Sequence, residues 1–210
     1  MEHFTLYLLL CSLTIASPGP GVLFTIDNAL SLRWRGALPG ILGVVLGMLA
    51  VASLASTALG ALISSSPGIL LGLQWLAALY LGWLGLVRLR GSAATATPSG
   101  APSAPDRPGR LVLQGLLVSA TNPKLLVFFL ALFPPFLDTR HPVLPQITLL
   151  VATFCGLSLL IHCGYAQLAA VLGRRFASGG LVATLNRTAG GIFLSFAVLL
   201  LAALPGMPWS

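Results

Sequence analysis

Six long apolar runs alternate with short polar stretches along the chain. Each run reaches about the 20 residues that an α-helix needs to cross the hydrocarbon core of a bilayer. The pattern therefore predicts an all-α polytopic membrane protein with six transmembrane helices. The runs cover residues 4–29, 37–62, 68–88, 111–133, 144–172 and 188–206.

Proline-containing clusters interrupt the first and the fourth run at similar depths. They read Ser17-Pro18-Gly19-Pro20-Gly21 and Thr121-Asn122-Pro123-Lys124. Proline removes a backbone donor and clashes with the preceding helical turn, and inside a membrane the freed groups must face protein or a water-filled cavity. We therefore expect helices 1 and 4 to be broken. Paired breaks of this kind point to a transporter binding site.

Composition supports the membrane class and narrows the function. Hydrophobic residues make up 57% of the 210 residues and charged residues 7%, whereas soluble domains carry roughly 25% charged residues. The net charge of +7 comes from cations that stand singly or in pairs, so no nucleic-acid footprint is formed. We find no carboxylate pair, metal-ligand cluster or nucleotide-binding motif. An enzyme, a cofactor and a metal site are therefore not expected.

The arginines are distributed unevenly between the two predicted membrane faces. With the N-terminus outside, nine arginines fall in the inward-facing stretches and only Arg140 in an outward-facing one. The positive-inside rule then predicts that both termini lie outside. The nine are Arg33, Arg35, Arg88, Arg90, Arg107, Arg110, Arg174, Arg175 and Arg187.

A low-complexity stretch at residues 91–109 divides the runs into two groups of three. It is rich in Pro, Ala and Ser and lacks apolar periodicity, which is typical of a flexible linker. We expect it to lie in the cytoplasm between residues 1–90, with helices 1–3, and residues 110–210, with helices 4–6. Because three is odd, the second half enters the membrane in the opposite orientation. This arithmetic and the paired breaks predict a 3+3 inverted repeat.

The breaks offer a way to bind an anion. Where a helix restarts after Pro20 or Pro123, its first N–H groups lack intrahelical partners, and the local positive potential attracts a carboxylate. Lys124 adds a full charge within an apolar run, at a cost of roughly 2.5–3.5 kcal/mol. It should therefore face the bundle interior. We predict that Asn122, Pro123 and Lys124 bind a substrate carboxylate. Pro18, Gly19 and Pro20 are then substrate-binding residues that form a flexible joint.

Four further polar residues are candidates, and each has a structural alternative. Asp27 either pairs with Arg33 at the surface or lines the cavity, where it takes up a proton or a substrate ammonium group; Asn28 would donate and accept hydrogen bonds in the same place. His162 and Tyr165 are three residues apart and share one helix face. His162 is either a proton relay or a satisfied core histidine. Tyr165 either lines the cavity or anchors the helix.

The chain resembles the LysE/RhtB family of bacterial amino-acid exporters over nearly its full length. The matching motifs are Ser17-Pro18-Gly19-Pro20, the run LAALYLGWLG at residues 76–85, Thr121-Asn122-Pro123-Lys124, Phe129 and Phe133-Pro134-Pro135-Phe136. The resemblance implies a six-span inner-membrane carrier that expels amino acids or their derivatives by exchange with protons. Family members often have Asn or Asp where this chain has Gly21, and some carry an acid near the position of Ser158. Asp27 or His162 would then take over proton coupling.

We therefore predict a secondary transporter that exports amino acids or their derivatives across the bacterial inner membrane by alternating access. Its partners would be the amino-acid substrate, protons and the lipid bilayer, with a homodimer as one alternative for its assembly. Two other functions stay open: export of another small solute or cation within the same superfamily, and a scaffold that transports nothing. A metal exporter would need several carboxylate, His or Cys ligands in the spans. A scaffold would gain nothing evident from Lys124.

Overall fold

The computed structural model describes residues 4–17, 19–65, 67–90, 107–138, 141–173 and 180–203. The described residues form helices and connecting turns, with no β-strand among them. The all-α prediction is thus confirmed for this part of the chain. In chain order the elements are α1 (Phe4–Ala16), α2 (Pro20–Ser65), α3 (Pro67–Leu89), α4 (Pro108–Ala120), α5 (Pro123–Leu132), a 3₁₀ turn (Pro134–Phe136), α6 (Val143–Leu172) and α7 (Gly180–Ala203).

Both predicted helix breaks are confirmed. The first break separates α1, which ends at Ala16, from α2, which begins at Pro20. The second break separates α4, which ends at Ala120, from α5, which begins at Pro123. Proline is well suited to the first helical position, because the N–H group that it lacks would have no intrahelical partner there. Each proline therefore ends one helix and starts the next.

The segment Pro20–Ser65, called α2 here, consists of two helical arms that meet at a kink at Arg33. The backbone of Arg33 has φ 62° and ψ 172°, a combination that is left almost entirely to glycine. The bend divides α2 into residues 20–32 and residues 34–65, at the polar stretch that separates the first two apolar runs. The two arms pack against each other and against α6 in one buried cluster. Its members are Val22, Ile26, Ala29, Ala37, Ile41, Tyr165, Ala166 and Ala169.

The larger core joins α1, the second arm of α2, α5 and α6. Aromatic rings from α5 and α6 fill its centre: the ring centroids of Phe129 and Phe154 are 4.8 Å apart, and those of Phe128 and Phe154 are 5.7 Å apart. Edge-to-face and tilted pairs at such distances add attraction beyond the burial of area. A smaller cluster holds α3 and α7 together through Leu81, Phe193 and Ala197. The main core therefore contains one helix from each break, α1 and α5.

Glycines bring α2 and α4 into backbone contact. A Cβ atom on Gly43 would collide with the carbonyl oxygen of Val112, and one on Gly115 with the carbonyl oxygen of Gly40. A Cβ atom on Gly47 would lie 2.7 Å from the Cβ atom of Ser119. Small residues allow such close approach between helices in lipid. This contact positions Ser119, and with it the second break, beside α2.

The outer faces of the helices are strongly apolar. Leu76 on α3, Leu160 and Val171 on α6 and Leu199 on α7 are each at least 63% exposed. By length and composition two helical stretches suffice to cross a membrane, namely Pro20–Thr57 of α2 and Val143–Leu172. Apolar groups in such number on the outside are typical of a protein whose surroundings are lipid rather than water.

Candidate functional site

The two breaks line one cavity in the main core. Its volume is about 30 Å³, which is room for about two water molecules and too little for an amino acid. The cavity would therefore have to enlarge to hold an amino acid. Its described wall combines polar or small residues (Thr14, Ser17, Gly19, Gly21, Ser119, Asn122 and His162) with apolar ones (Ile15, Val22, Met48, Leu125 and Phe154).

The first break leaves a helical carbonyl group without its usual donor. In a continuous helix the carbonyl oxygen of Ala16 would accept from the amide of residue 20, but Pro20 has no N–H. The Tyr165 hydroxyl of α6 donates to this oxygen at 2.5 Å. On the other side of the break the Leu23 amide donates to the Gly19 carbonyl oxygen at 2.9 Å. A side chain from α6 thus replaces the missing backbone donor.

At the second break, a backbone amide within the break itself replaces the missing donor. The Ser119 carbonyl oxygen cannot accept from Pro123, and the Asn122 amide donates to it instead at 3.1 Å. Asn122 occupies the position before the first turn of α5, and its carbonyl oxygen accepts from the Leu125 amide at 3.1 Å. Asparagine is among the preferred residues at this position. Asn122 lines the cavity as a result.

Pro123 and Lys124 form the first turn of α5, directly behind Asn122. Their side chains, like residue Pro18 as a whole, lie outside the described part of the chain. The predicted roles of these three residues therefore stay predictions. The backbone places the start of α5 beside the cavity, because both Asn122 and Leu125 belong to its wall.

His162 lies on the opposite wall, on α6, and is 1% exposed. Its Nδ1 atom shares a hydrogen bond of 2.7 Å with the hydroxyl of Thr25 on α2. The other edge of the ring faces Gly21, where an added Cβ atom would lie 3.5 Å from Cε1 and 3.9 Å from Nε2. The imidazole is thus hydrogen-bonded to Thr25 and also borders the cavity. Gly21 leaves the space into which the ring packs.

Asp27, Asn28 and Tyr165 do not belong to the cavity wall in this conformation. Asp27 is half-buried, and within the described residues it forms no ion pair with Arg33. Asn28 packs on the second arm of α2, since a Cβ atom on Gly40 would lie 3.0 Å from its Nδ2 atom. The structure therefore brings His162 to the cavity wall and Tyr165 to the first break, and it leaves Asp27 and Asn28 outside the wall.

Two wall residues were not among the predicted site residues, although Ser17 belongs to the first proline cluster. Ser17 and Ser119 are 3% and 1% exposed, and their hydroxyl oxygens have no hydrogen-bond partner among the described residues. Serine is too common in helices to be noticed alone. A usable signal existed in the spacing, since Ser119 stands one helical turn before Pro123 and Ser17 directly precedes the first proline motif.

The described wall holds hydrogen-bond donors but no acidic side chain. The start of α2 also meets the cavity, because Gly19, Gly21 and Val22 belong to the wall. Helix N-termini carry partial positive charge and unpaired N–H groups. The arrangement therefore suits an anionic or hydrogen-bond-accepting group.

Comparison with known proteins shows the family of the chain. The LysE type translocator family matches residues 12–204. The chain is 33% identical to an uncharacterized membrane protein of Vibrio cholerae over 198 residues, which is 94% of this chain and 95% of that protein. It is 32% identical to homoserine/homoserine lactone efflux proteins of Salmonella typhimurium and Salmonella typhi over 202 residues, which is 96% of this chain and 97% of each relative. No solved structure matches the chain. The protein therefore belongs to the LysE type translocator family and is an integral membrane transport protein rather than an enzyme.

Proposed function

We propose that the protein exports small amino acids or their derivatives across the bacterial inner membrane in exchange for protons. The observation that carries the proposal is the meeting of both helix breaks at one cavity whose wall combines polar and apolar residues. Because the Salmonella relatives are named for efflux of homoserine and its lactone, homoserine is the first substrate to test. The cavity of about 30 Å³ has to enlarge to hold this substrate, which a conformational change of alternating access would allow.

A six-crossing arrangement is part of this proposal. At 1.5 Å per residue, α1 and residues 20–32 of α2 together measure about 40 Å, and α4 with α5 measures about 35 Å. Each broken pair therefore exceeds the roughly 30 Å thickness of the hydrocarbon core. This length supports a 3+3 inverted repeat in which helices 1 and 4 cross the membrane as broken helices.

The charged ends of the helices support an orientation with both termini outside. Arg33 and Arg35 lie at the bend of α2, Arg90 follows the end of α3, and Arg107 precedes α4. All four would then face the cytoplasm, where the positive-inside rule places them.

In the proposed cycle, the substrate carboxylate binds at the start of α5, where Asn122 and Lys124 lie. The first break acts as the joint that moves α1 relative to α2 and brings Asp27 to the open cavity. Asp27 would bind the substrate ammonium group or a proton, and His162 would relay protons along the wall. Asn28 and Tyr165 would join the site only when the cavity opens.

Efflux from proteoliposomes loaded with homoserine tests the binding site. Lys124→Ala should abolish efflux while the protein still inserts at the wild-type level, because the substrate carboxylate loses its cation. Arg90→Ala, which changes a cation beyond the end of α3, is the matched control and should transport normally. Unchanged efflux in Lys124→Ala would contradict the site.

The proton step has its own test. Asp27→Asn should make efflux independent of an imposed pH gradient while the vesicles still release substrate down its concentration gradient. A wild-type response to the gradient would remove Asp27 from the coupling mechanism. It would leave the transport activity itself in place.

A further inference from the structure

Two buried serines, one at each break, line the cavity and have no assigned role. Ser17 ends the α1 side of the first break, and Ser119 lies in the last turn of α4 before the second break. Both residues line the cavity. Neither hydroxyl oxygen has a hydrogen-bond partner among the described residues, although the two residues are at least 97% buried.

An unpartnered buried hydroxyl is costly, because it has lost its hydrogen bonds to water and gained none in exchange. Helices usually avoid this cost, since a serine can donate to a carbonyl oxygen of its own helix. Ser56 and Ser195 do so here, with bonds to Ala52 and Gly191. Ser17 and Ser119 instead keep their hydroxyls beside the cavity. Both hydroxyls are therefore available to a group that enters the cavity.

The surroundings define the chemistry of that partner. The described wall has no acidic side chain that would balance a cation, and its polar residues include the two serines and His162. The start of α2 adds partial positive charge and unpaired N–H groups at Gly21 and Val22. A carboxylate fits these donors, because hydrogen bonds to an ionised acceptor are about twice as strong as those between neutral groups.

We propose that the hydroxyls of Ser17 and Ser119 both donate to the carboxylate of the transported amino acid, which thereby bridges the two breaks. The inference deepens the proposed function and rests on it. It differs from a site at the second break alone, because one contact comes from each broken helix. A bridging carboxylate would couple occupancy of the cavity to the relative position of α1 and α4.

Homoserine and homoserine lactone separate this idea from a general packing role. The lactone is the cyclic ester of homoserine and lacks the anionic carboxylate. In proteoliposome efflux assays, Ser17→Ala and Ser119→Ala should each raise the KM for homoserine about tenfold, as expected for loss of a hydrogen bond to a charged group. The KM for the lactone should change much less, and the maximal rates should stay near the wild-type values.

Thermal unfolding of the same variants in detergent provides a readout that is independent of transport. Both variants should keep or exceed the wild-type Tm, because alanine removes an unsatisfied hydroxyl and retains the Cβ atom, which in Ser119 packs near Gly47. Ser195→Ala on α7 is the matched control and should leave both KM values unchanged. A lowered Tm in the Ser17 and Ser119 variants would show a structural role and overturn the inference.

Two transport results would also overturn it. An unchanged KM for homoserine, or equal increases for homoserine and its lactone, would show that the serines do not bind the carboxylate; the proposed function would survive either result. If the wild-type protein exported no amino acid of a broad panel, the proposed function would fail and the inference with it.

Discussion

Tyr165→Phe tests how the first break is stabilised. The substitution removes one hydroxyl and leaves the ring, so the packing around α6 is retained. The Ala16 carbonyl oxygen then loses the donor that lies 2.5 Å away, and Pro20 cannot replace it. Leaving this partly buried acceptor unsatisfied costs up to about 1–3 kcal/mol. For a chain of this length that corresponds to a decrease in Tm of roughly 2–12 °C.

Tyr7→Phe is the matched control. The Tyr7 hydroxyl also donates to a backbone carbonyl, that of Leu150, at 2.7 Å. Leu150 lies inside α6, so its carbonyl oxygen keeps the regular helical hydrogen bond after the substitution. We expect a smaller loss of about 0.5–1.5 kcal/mol. Thermal unfolding in detergent, followed by tryptophan fluorescence, measures both variants.

A double-mutant cycle with Pro20→Ala tests whether Tyr165 replaces the N–H group that Pro20 lacks. Alanine at position 20 supplies the missing N–H, so the Ala16 carbonyl oxygen gains a backbone donor and needs Tyr165 less. Tyr165→Phe should then cost little in the Pro20→Ala background, and the coupling between the two sites should be about 1–2 kcal/mol. Additive effects of the two substitutions would refute the idea that the Tyr165 hydroxyl replaces the missing backbone donor. A Tyr165→Phe cost no larger than that of Tyr7→Phe would refute it as well.

Three further substitutions test the packing around the site by the same unfolding measurement. Gly43→Ala should lower stability by about 1–3 kcal/mol, because its Cβ atom would collide with a backbone carbonyl of α4. Gly156 has open space around it, so Gly156→Ala is the control and should not lower stability. Equal effects of the two substitutions would contradict the close contact between α2 and α4. Thr25→Val should cost about 1–3 kcal/mol, because the buried His162 Nδ1 atom loses its partner; wild-type stability would show that the 2.7 Å bond contributes nothing. Arg33→Gly should stabilise the protein by about 1 kcal/mol through relief of its φ of 62°, whereas Arg33→Ala retains the strained backbone and should not.

Residue type alone predicts some residues of the cavity wall and not others. His162 was noticed because a histidine is rare in an apolar run, and the structure places it beside the first break. Ser17 and Ser119 were missed because serine is ordinary in helices; only their burial without partners makes them candidates. Asp27 was noticed for its charge, yet the structure places it outside the cavity wall.

The sequence by itself determined the helices and the places where they break. Both are local properties: apolar length decides whether a segment is helical in lipid, and a proline cannot supply the N–H that a continuing helix needs. The breaks near Pro20 and Pro123 could therefore be predicted to within a few residues.

Only the tertiary structure decided what the breaks do. Tyr165 and Ala16 are 149 positions apart, and His162 and Thr25 are 137 apart, so no spacing rule connects them. Their contacts depend on the packing of α6 against α1 and α2, and the place of Ser119 depends on the close approach that Gly47 allows. Side-chain packing between distant segments, rather than local backbone chemistry, therefore builds the cavity and selects its donors.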